Sequence, residues 1–442
     1  MKIHFIGIGG IGVSALAKYY LAKGYEVSGC DLVASEITDQ LKKEGAKIRI
    51  GKPQTICSKN SDLVVYSPAV KKPNPELKGR KSLSYPEALG ELTKTHYTIA
   101  VSGTHGKSTT TAMLGLLLIK AGLDPTVIVG TKLKEFNDSN CRVGKSKYLV
   151  IEADEHFASF LNYWPQIITL TNIAADHLDY YKNVGNIIKT FKKYLSHLPQ
   201  KGWIIANSDD PNSANLTAFK NTVWYSNNQK EAATLRKLLK IPGEHIVADA
   251  LAALATARVL KIPDKISFKA LSEYNGAWRR FEIFHIKKPK PYTLVSDYGH
   301  NPTKARVTVE GARQKWPKKK IWLVYQPHQY SRTYYLWDDF VETFSRLPVN
   351  KLIITDIYDV AGREETKIKQ KVSSEKLVKA IVNCKLKIEN YPVLYISTLQ
   401  QVEQYLQKNL RGGEVVMVMG AGNIYGLTVR LTKKHPKRKI KA

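Results

Sequence analysis

The sequence predicts an α/β protein of three domains built on mostly parallel sheets, and three observations lead there. The chain has 442 residues, and at about 150 residues per domain that length corresponds to three. Short apolar runs alternate with helical patterns along most of it, the rhythm of parallel strands covered by helices. Two glycine-rich loops each stand between a strand-like run and a helical one. With 43% hydrophobic and 24% charged residues the composition is that of an ordinary globular protein, which excludes wholesale disorder and fibrous repeats.

In chain order, residues 3–8 read as a strand, 13–23 as a helix, 26–30 as a strand, 37–44 as a helix and 63–66 as a strand. The Lys- and Pro-rich stretch 71–80 reads as a loop, and 85–92 as a helix leading out of a first domain that ends near Lys94. A second rhythm starts with a strand at 97–101 and a helix at 109–121, followed by strands at 148–151 and 167–171. After Pro242-Gly243, the alanine-dense stretch 248–260 favours a closely packed helix. A boundary falls in 275–280. The third set comprises a strand at 293–296, a helix at 303–315, a strand at 321–325, a helix at 335–346, and strands at 351–355 and 415–419. The expected domains are 1–94, 95–277 and 278–442, with 433–441 a basic, mobile end.

Lys and Arg number 68 against 38 Asp and Glu, a net charge of +30 that favours anionic partners: nucleic acid, phosphorylated small molecules or membrane surfaces. Cys30, Cys57, Cys141 and Cys384 form no CxxC pair, so neither a zinc cage nor a disulfide framework is written here, and a reducing cytoplasm is the natural compartment. Glycines at 7, 9, 10 and 12 interrupt the opening apolar stretch, which therefore reads as folded structure and not as a signal peptide. No apolar run reaches the roughly 18 residues of a membrane span.

Gly7-Ile8-Gly9-Gly10-Ile11-Gly12 follows the first strand and opens the first helix, with Asp31 closing the second strand. Such a loop brings backbone N–H groups and the positive end of a helix against a diphosphate, that of a dinucleotide or of any nucleoside diphosphate. Gly103-Thr104-His105-Gly106-Lys107-Ser108 is a variant phosphate loop, with Val101 where the strict pattern has glycine. Backbone N–H groups would cradle phosphates, Lys107 would neutralise the terminal ones, and Ser108 would ligate magnesium. Two further strands end in Glu152-Ala153-Asp154-Glu155 and in Thr171-Asn172-Ile173-Ala174-Ala175-Asp176-His177. Ligands of open parallel sheets bind beyond the carboxyl ends of strands, which makes Glu152 and His177 candidate metal ligands. Asp297-Tyr298-Gly299-His300-Asn301-Pro302 and Gln326-Pro327-His328-Gln329-Tyr330-Ser331-Arg332 also follow strands, and an arginine there can grip a carboxylate or phosphate.

Together and in this order, GIGGIG, GTHGKS, EADE, TNIAADHLD, DYGHNPT and QPHQYSRT resemble the Mur ligase family, from Ile3 to about Gly426. The resemblance implies an N-terminal Rossmann-like domain for a UDP-sugar, a central ATPase domain, and a C-terminal Rossmann-like domain closing on ATP and the amino acid. It is most similar to the branch joining L-alanine to UDP-N-acetylmuramate through an acyl phosphate in peptidoglycan precursor synthesis, with ATP and Mg2+. By that resemblance Gly9, Gly10, Ile11, Gly12 and Asp31 bind the UDP-sugar. Gly103, Thr104, His105, Gly106, Lys107, Ser108 and Thr109 bind ATP, and Ser108, Glu152 and His177 hold magnesium. His328 and Arg332 hold the amino acid, Asp297 and His300 line the closed site, and Lys107, Glu152, His177, His300 and Arg332 form the catalytic set. No nucleic-acid partner is expected.

The sequence departs from the family pattern in several places. Ser108 replaces a threonine, Ile246 and Asp249 replace two asparagines, Asn301 replaces a histidine, and Gln329 replaces an arginine. The stretch 223–243 is short where the family carries a small antiparallel sheet. Losing an arginine at 329 implies a weaker hold on the amino-acid carboxylate, which Gln329→Arg would restore. Rival readings are the related ligase that attaches a recycled murein peptide to the same sugar, an NAD-dependent oxidoreductase suggested by GIGGIG and Asp31, and a nucleic-acid-binding ATPase suggested by the charge.

Overall fold

The computed structural model describes residues 1–51, 57–70, 73–214, 216, 221–359, 366–385 and 391–433. The basic end from 434 onward, and 71–72 of the predicted loop, lie outside them. The chain groups into two compact units. The first comprises Met1–Asp176, Asn183–Leu239 and Val247–Tyr274, and the second His177–Lys182, Lys240–Ile246 and the chain from Asn275 onward.

The first unit holds two sheets. Strands β1 (Lys2–Ile6), β2 (Glu26–Asp31), β3 (Lys47–Ile50), β4 (Leu63–Tyr66) and β5 (Ser82–Ser84) form a parallel sheet in the order β3-β2-β1-β4-β5. Central β1 and β4 are nearly continuous apolar runs, as strands covered on both faces require. The helix Ile11–Ala22 buries Val13, Leu16 and Ala17. The second sheet comprises β6 (Tyr97–Ser102), β7 (Thr126–Leu133), β8 (Ser139–Arg142), β9 (Tyr148–Ala153), β10 (Ile167–Leu170), β11 (Trp203–Asn207) and β12 (Thr222–Tyr225). Its order is β12-β11-β10-β6-β9-β7-β8, parallel except where β8 runs against β7. Because β6 lies between β10 and β9, three polar strand ends stand side by side where the strand order reverses, the usual place for a ligand.

The β7–β8 hairpin, not foreseen from the sequence, ties the two sheets of this unit together. Asn140 donates from Nδ2 to Ser14 Oγ at 2.9 Å and to the Ile11 carbonyl, and buried Lys18 donates to Ser139 Oγ at 3.0 Å. Burial lowers the Lys18 pKa, because an ammonium loses its hydration there. In the shortened stretch 223–243, the described residues hold the end of β12 and the helix Lys230–Leu238.

The second unit carries β13 (Glu282–Ile286), β14 (Tyr292–Asp297), β15 (Ile321–Tyr325), β16 (Lys351–Ile354), β17 (Val393–Tyr395) and β18 (Val415–Met419), in the order β13-β14-β18-β15-β16-β17. Only β13 is antiparallel to its neighbour. Leu294, Trp322, Val324, Ile353, Val416 and Val418 pack one core cluster. The helix expected over 335–346 is present as Trp337–Ser345, and a short helix not foreseen from the sequence, Tyr330–Tyr335, precedes it, the two separated at Leu336 where φ is −109° and ψ 25°. Among the described residues no helix is long and apolar enough to cross a membrane.

Candidate active site

The phosphate loop connects β6 to the helix Lys107–Lys120, whose N-cap is Gly106 at φ 83°. That left-handed conformation suits glycine, and a Cβ there would collide with the buried Asp249 carboxylate. The end of β10 bolts the loop down. The Thr104 N–H donates to the Asn172 carbonyl at 2.9 Å, the His105 N–H donates to Asn172 Oδ1 at 3.1 Å, and Thr171 Oγ1 donates to the His105 carbonyl at 2.6 Å. The N–H groups of Thr104 and His105 are thus engaged by Asn172. The N–H groups of Lys107, Ser108 and Thr109, in the first helical turn, have no intrahelical acceptor, an arrangement that suits an anion.

Ser108 Oγ lies 3.0 Å from Glu152 Oε1, and the other Glu152 oxygen accepts from the Gly130 N–H at 2.8 Å. Two oxygen ligands of the kind a hard divalent cation takes are therefore adjacent. Lys107 Nζ donates to Glu155 Oε2 at 2.6 Å and to the Gly103 carbonyl at 2.7 Å, with Asp154 Oδ1 at 3.4 Å. Burial pulls the Lys107 pKa down, but Glu155, Asp154 and Glu152 outweigh it and the net shift is upward. Burial pushes the Glu155 carboxyl up, against the pull of Lys107. Lys107 holds its proton throughout the neutral range, so the 2.6 Å contact is a charge-assisted hydrogen bond donated by its ammonium group.

In the GIGGIG loop the Gly9 N–H donates to Asp31 Oδ2 at 2.8 Å, and the Gly10 N–H donates to the Gly7 carbonyl at 3.1 Å. Asp31 therefore shapes the loop. The N–H groups of Ile11 and Gly12, at the start of the helix, have no intrahelical acceptor, and Gly12 packs so close to the Tyr85 ring that a Cβ would fall 2.8 Å from it. An Asp31 carboxylate turned onto Gly9 is poorly placed to take a ribose hydroxyl, as a dinucleotide site would need.

In the second unit, Asp297 accepts from the N–H groups of Gly299 at 2.7 Å and Phe281 at 2.9 Å. Burial raises its pKa, opposed by Arg280 and those two N–H groups. His300 Nδ1 is 3.2 Å from the Tyr298 carbonyl, which makes Nδ1 the protonated nitrogen, and its ring lies 5.8 Å from that of His328. His328 stacks on Tyr358. Arg332 Nη1 donates to the His328 carbonyl at 3.3 Å and to Gln329 Oε1 at 3.2 Å. His177 caps the short helix Leu178–Tyr181 at φ 52°. An open cavity of about 760 Å3, lined by Gln326, Asp356, Tyr358, Thr398 and Glu403 among others, borders the same sheet, and none of His300, His328 or Arg332 lines it.

The reading of Gln329 as a lost carboxylate anchor is corrected by this geometry. Its side-chain oxygen is the acceptor that orients Arg332, and its backbone sits at φ 73° with its N–H on the Tyr358 carbonyl at 3.1 Å. Gln329→Arg removes that acceptor and places two guanidinium groups together. The KM for the amine substrate should therefore rise about three- to tenfold instead of falling, which steady-state kinetics would register. An unchanged KM would remove Gln329 from the site.

Several residues escaped the sequence reading. Asn172 stands within a sequence motif, but nothing in the pattern marks it as the brace of the phosphate loop. Glu155 carries a signal only as a second acid three residues after Glu152 in a strand-end cluster. Arg279 and Arg280 fall in the stretch whose pattern marks a domain boundary. Buried Arg279 donates to the Gly420 carbonyl and lies 4.9 Å from the Tyr298 ring centre and 5.1 Å from that of Tyr425.

Comparison with known proteins bears on what this geometry serves. Residues 2–97 match the Mur ligase family catalytic domain, 101–257 the Mur ligase middle domain, and 279–422 the Mur ligase glutamate ligase domain. A UDP-N-acetylmuramate–L-alanine ligase of Acetivibrio thermocellus is 37% identical over 96% of this chain and 94% of its own. That of Clostridium acetobutylicum is 38% identical over 96% of both chains. The crystal structure of the UDP-N-acetylmuramate–alanine ligase of Thermotoga maritima superposes with a TM-score of 0.79 at 25% identity, covering 98% of this chain and 99% of that one. A murein peptide ligase of Psychrobacter arcticus shares the fold at a TM-score of 0.68 and 23% identity. With domain matches along most of its length and relatives this similar from end to end, the chain belongs to the Mur ligase family.

Proposed function

We propose that the protein is an ATP-dependent carboxylate–amine ligase that joins L-alanine to UDP-N-acetylmuramate. The observation that carries this reading is the phosphate loop set between Glu152 and Asn172, in a chain 37% identical over nearly its full length to an L-alanine-adding ligase. Amide formation from a free carboxylate is unfavourable in water. The muramate carboxylate therefore attacks the γ-phosphorus of ATP, the bond to the bridging oxygen breaks, and ADP leaves. The alanine amine then attacks the acyl phosphate, loses a proton and displaces inorganic phosphate.

The chain's own residues supply positioning and charge. Lys107 balances charge on the transferring phosphoryl group, and the N–H groups of Lys107, Ser108 and Thr109 orient the phosphates. Ile11 and Gly12 take the UDP diphosphate. Arg332, steadied by Gln329 and His328, takes the alanine carboxylate. Ser108 and Glu152 are the residues that would hold Mg2+, which when bound screens the repulsion between the carboxylate and the triphosphate. The domain limits at Lys94 and Ala277 remain part of this proposal, as does a cytoplasmic setting, supported by substrates that are nucleotides.

Omitting one component at a time tests the reading. ADP release should require UDP-N-acetylmuramate and divalent cation, and sustained turnover should require L-alanine. ADP release indifferent to the sugar nucleotide would overturn it.

A further inference from the structure

The phosphate loop presents an electrostatic puzzle. Its cation, Lys107, is already held by Glu155 at 2.6 Å, in a contact where the two side chains are only 12% and 3% exposed. Asp154, Glu152 and Asp249 also face the loop, through Lys107, Ser108 and Gly106 respectively. A polyphosphate arriving there meets carboxylates before it meets a lysine that can pair with it. For Lys107 to reach a phosphate it must first leave Glu155.

Glu155 itself has ordinary helical angles, at φ −75° and ψ −20°, but the turn that follows it is strained. Two and three residues on, Phe157 and Ala158 both adopt left-handed helical angles, at φ 53° and φ 54°, a region that side chains with a Cβ rarely occupy. Two such residues in succession, one of them a phenylalanine 50% exposed to solvent, are not explained by core packing. Hydrogen bonds from Ala158 N–H to the Glu155 carbonyl at 2.8 Å and from Phe160 N–H to the Asp154 carbonyl at 3.1 Å close the turn that presents the carboxylate. Strain of this kind is kept where the surrounding structure fixes a functional group.

We propose that Glu155 is a positioning residue, an internal counter-ion that holds Lys107 in the nucleotide-free protein and yields it to the incoming phosphate, so that nucleotide binding is weak until divalent cation tips the exchange. The inference rests on the ATP-dependent reading above and adds to it a competitor built into the loop. The competition fixes the sign of a substitution. Glu155→Gln keeps the volume and one acceptor oxygen but removes the charge, and so releases Lys107.

Calorimetric titration with ADP, with EDTA in one arm and excess magnesium in the other, tests this. Without divalent cation, Glu155→Gln should bind ADP about tenfold more tightly than the parent, the order expected when one charge-assisted contact is lost by the competing state. Glu155→Asp, which keeps the charge, should stay close to the parent. A merely structural role would weaken binding in Glu155→Gln or leave it unchanged, and either result overturns the proposal. Should Glu155→Gln fail to fold, Glu155→Ala serves instead: it removes the carboxylate without burying an amide, and it should likewise tighten ADP binding about tenfold in the absence of divalent cation. Unchanged or weaker binding in that variant overturns the proposal equally. A parent protein that binds no ADP even with magnesium would remove the nucleotide reading, and the counter-ion with it, whereas parent binding with no gain in the variants removes the counter-ion alone.

Discussion

Replacing Lys107 by alanine is expected to lower ligase turnover by about three to five orders of magnitude, because the charge that stabilises the transferring phosphoryl group is gone. The same change alters stability in a pH-dependent way. Glu155, buried and deprived of Lys107, keeps the upward shift that burial imposes and loses the downward pull of that ammonium. An acid whose folded pKa exceeds its unfolded value stabilises the fold most below the unfolded pKa, about 4.3 for glutamate, and loses that contribution as pH rises through the folded pKa. The melting temperature of Lys107→Ala should therefore fall more steeply than the parent's between pH 5 and pH 8, with the two closest at the acid end. Thermal melts at several pH values check this. Near-parental turnover in a folded Lys107→Ala protein would contradict the role given to the loop.

Gly106→Ala is expected to abolish measurable ADP binding and to destabilise the protein by about 2–4 kcal/mol. Two costs combine: the left-handed backbone at φ 83°, and a Cβ driven into the Asp249 carboxylate. Gly79 separates them. It has φ 69° but nothing within 4 Å of an added Cβ, so Gly79→Ala should cost only about 1 kcal/mol and leave ADP binding intact. Denaturant melts and calorimetry on the two variants decide the matter. Equal losses would mean that the Asp249 contact contributes nothing.

The parts of this molecule legible in the sequence are those where local pattern and chemistry coincide. Buried parallel strands such as Leu63–Tyr66 and Ile321–Tyr325 announce themselves as apolar runs, and their structural limits match the pattern. Glycine-rich loops mark phosphate sites because few other residues satisfy their backbone angles. Edge elements were harder: β3 and β5, half exposed and polar, carry little pattern, and the β7–β8 hairpin depends on packing against a helix more than 100 residues away. The short helix Tyr330–Tyr335 carries no sequence signal of its own, because its polar and aromatic residues read as the loop that follows a strand. At the site, residue types were readable but their partners were not. Gln329 looked like a missing charge until its oxygen was found on Arg332, and the N–H groups of Thr104 and His105 looked available until Asn172 was found holding them. Pairings of this kind arise from tertiary placement, which a linear motif does not encode.

The central claim, ligation of L-alanine to UDP-N-acetylmuramate, is tested most directly by letting the protein choose. Supplied with ATP, magnesium, UDP-N-acetylmuramate and equal concentrations of L-alanine and the recycled murein peptide, it should yield a uridine product heavier than the starting sugar nucleotide by one alanine residue, as read by mass spectrometry, with one ADP formed per product. A product carrying the peptide, or ADP formed with no change in the mass of the sugar nucleotide, would contradict the account.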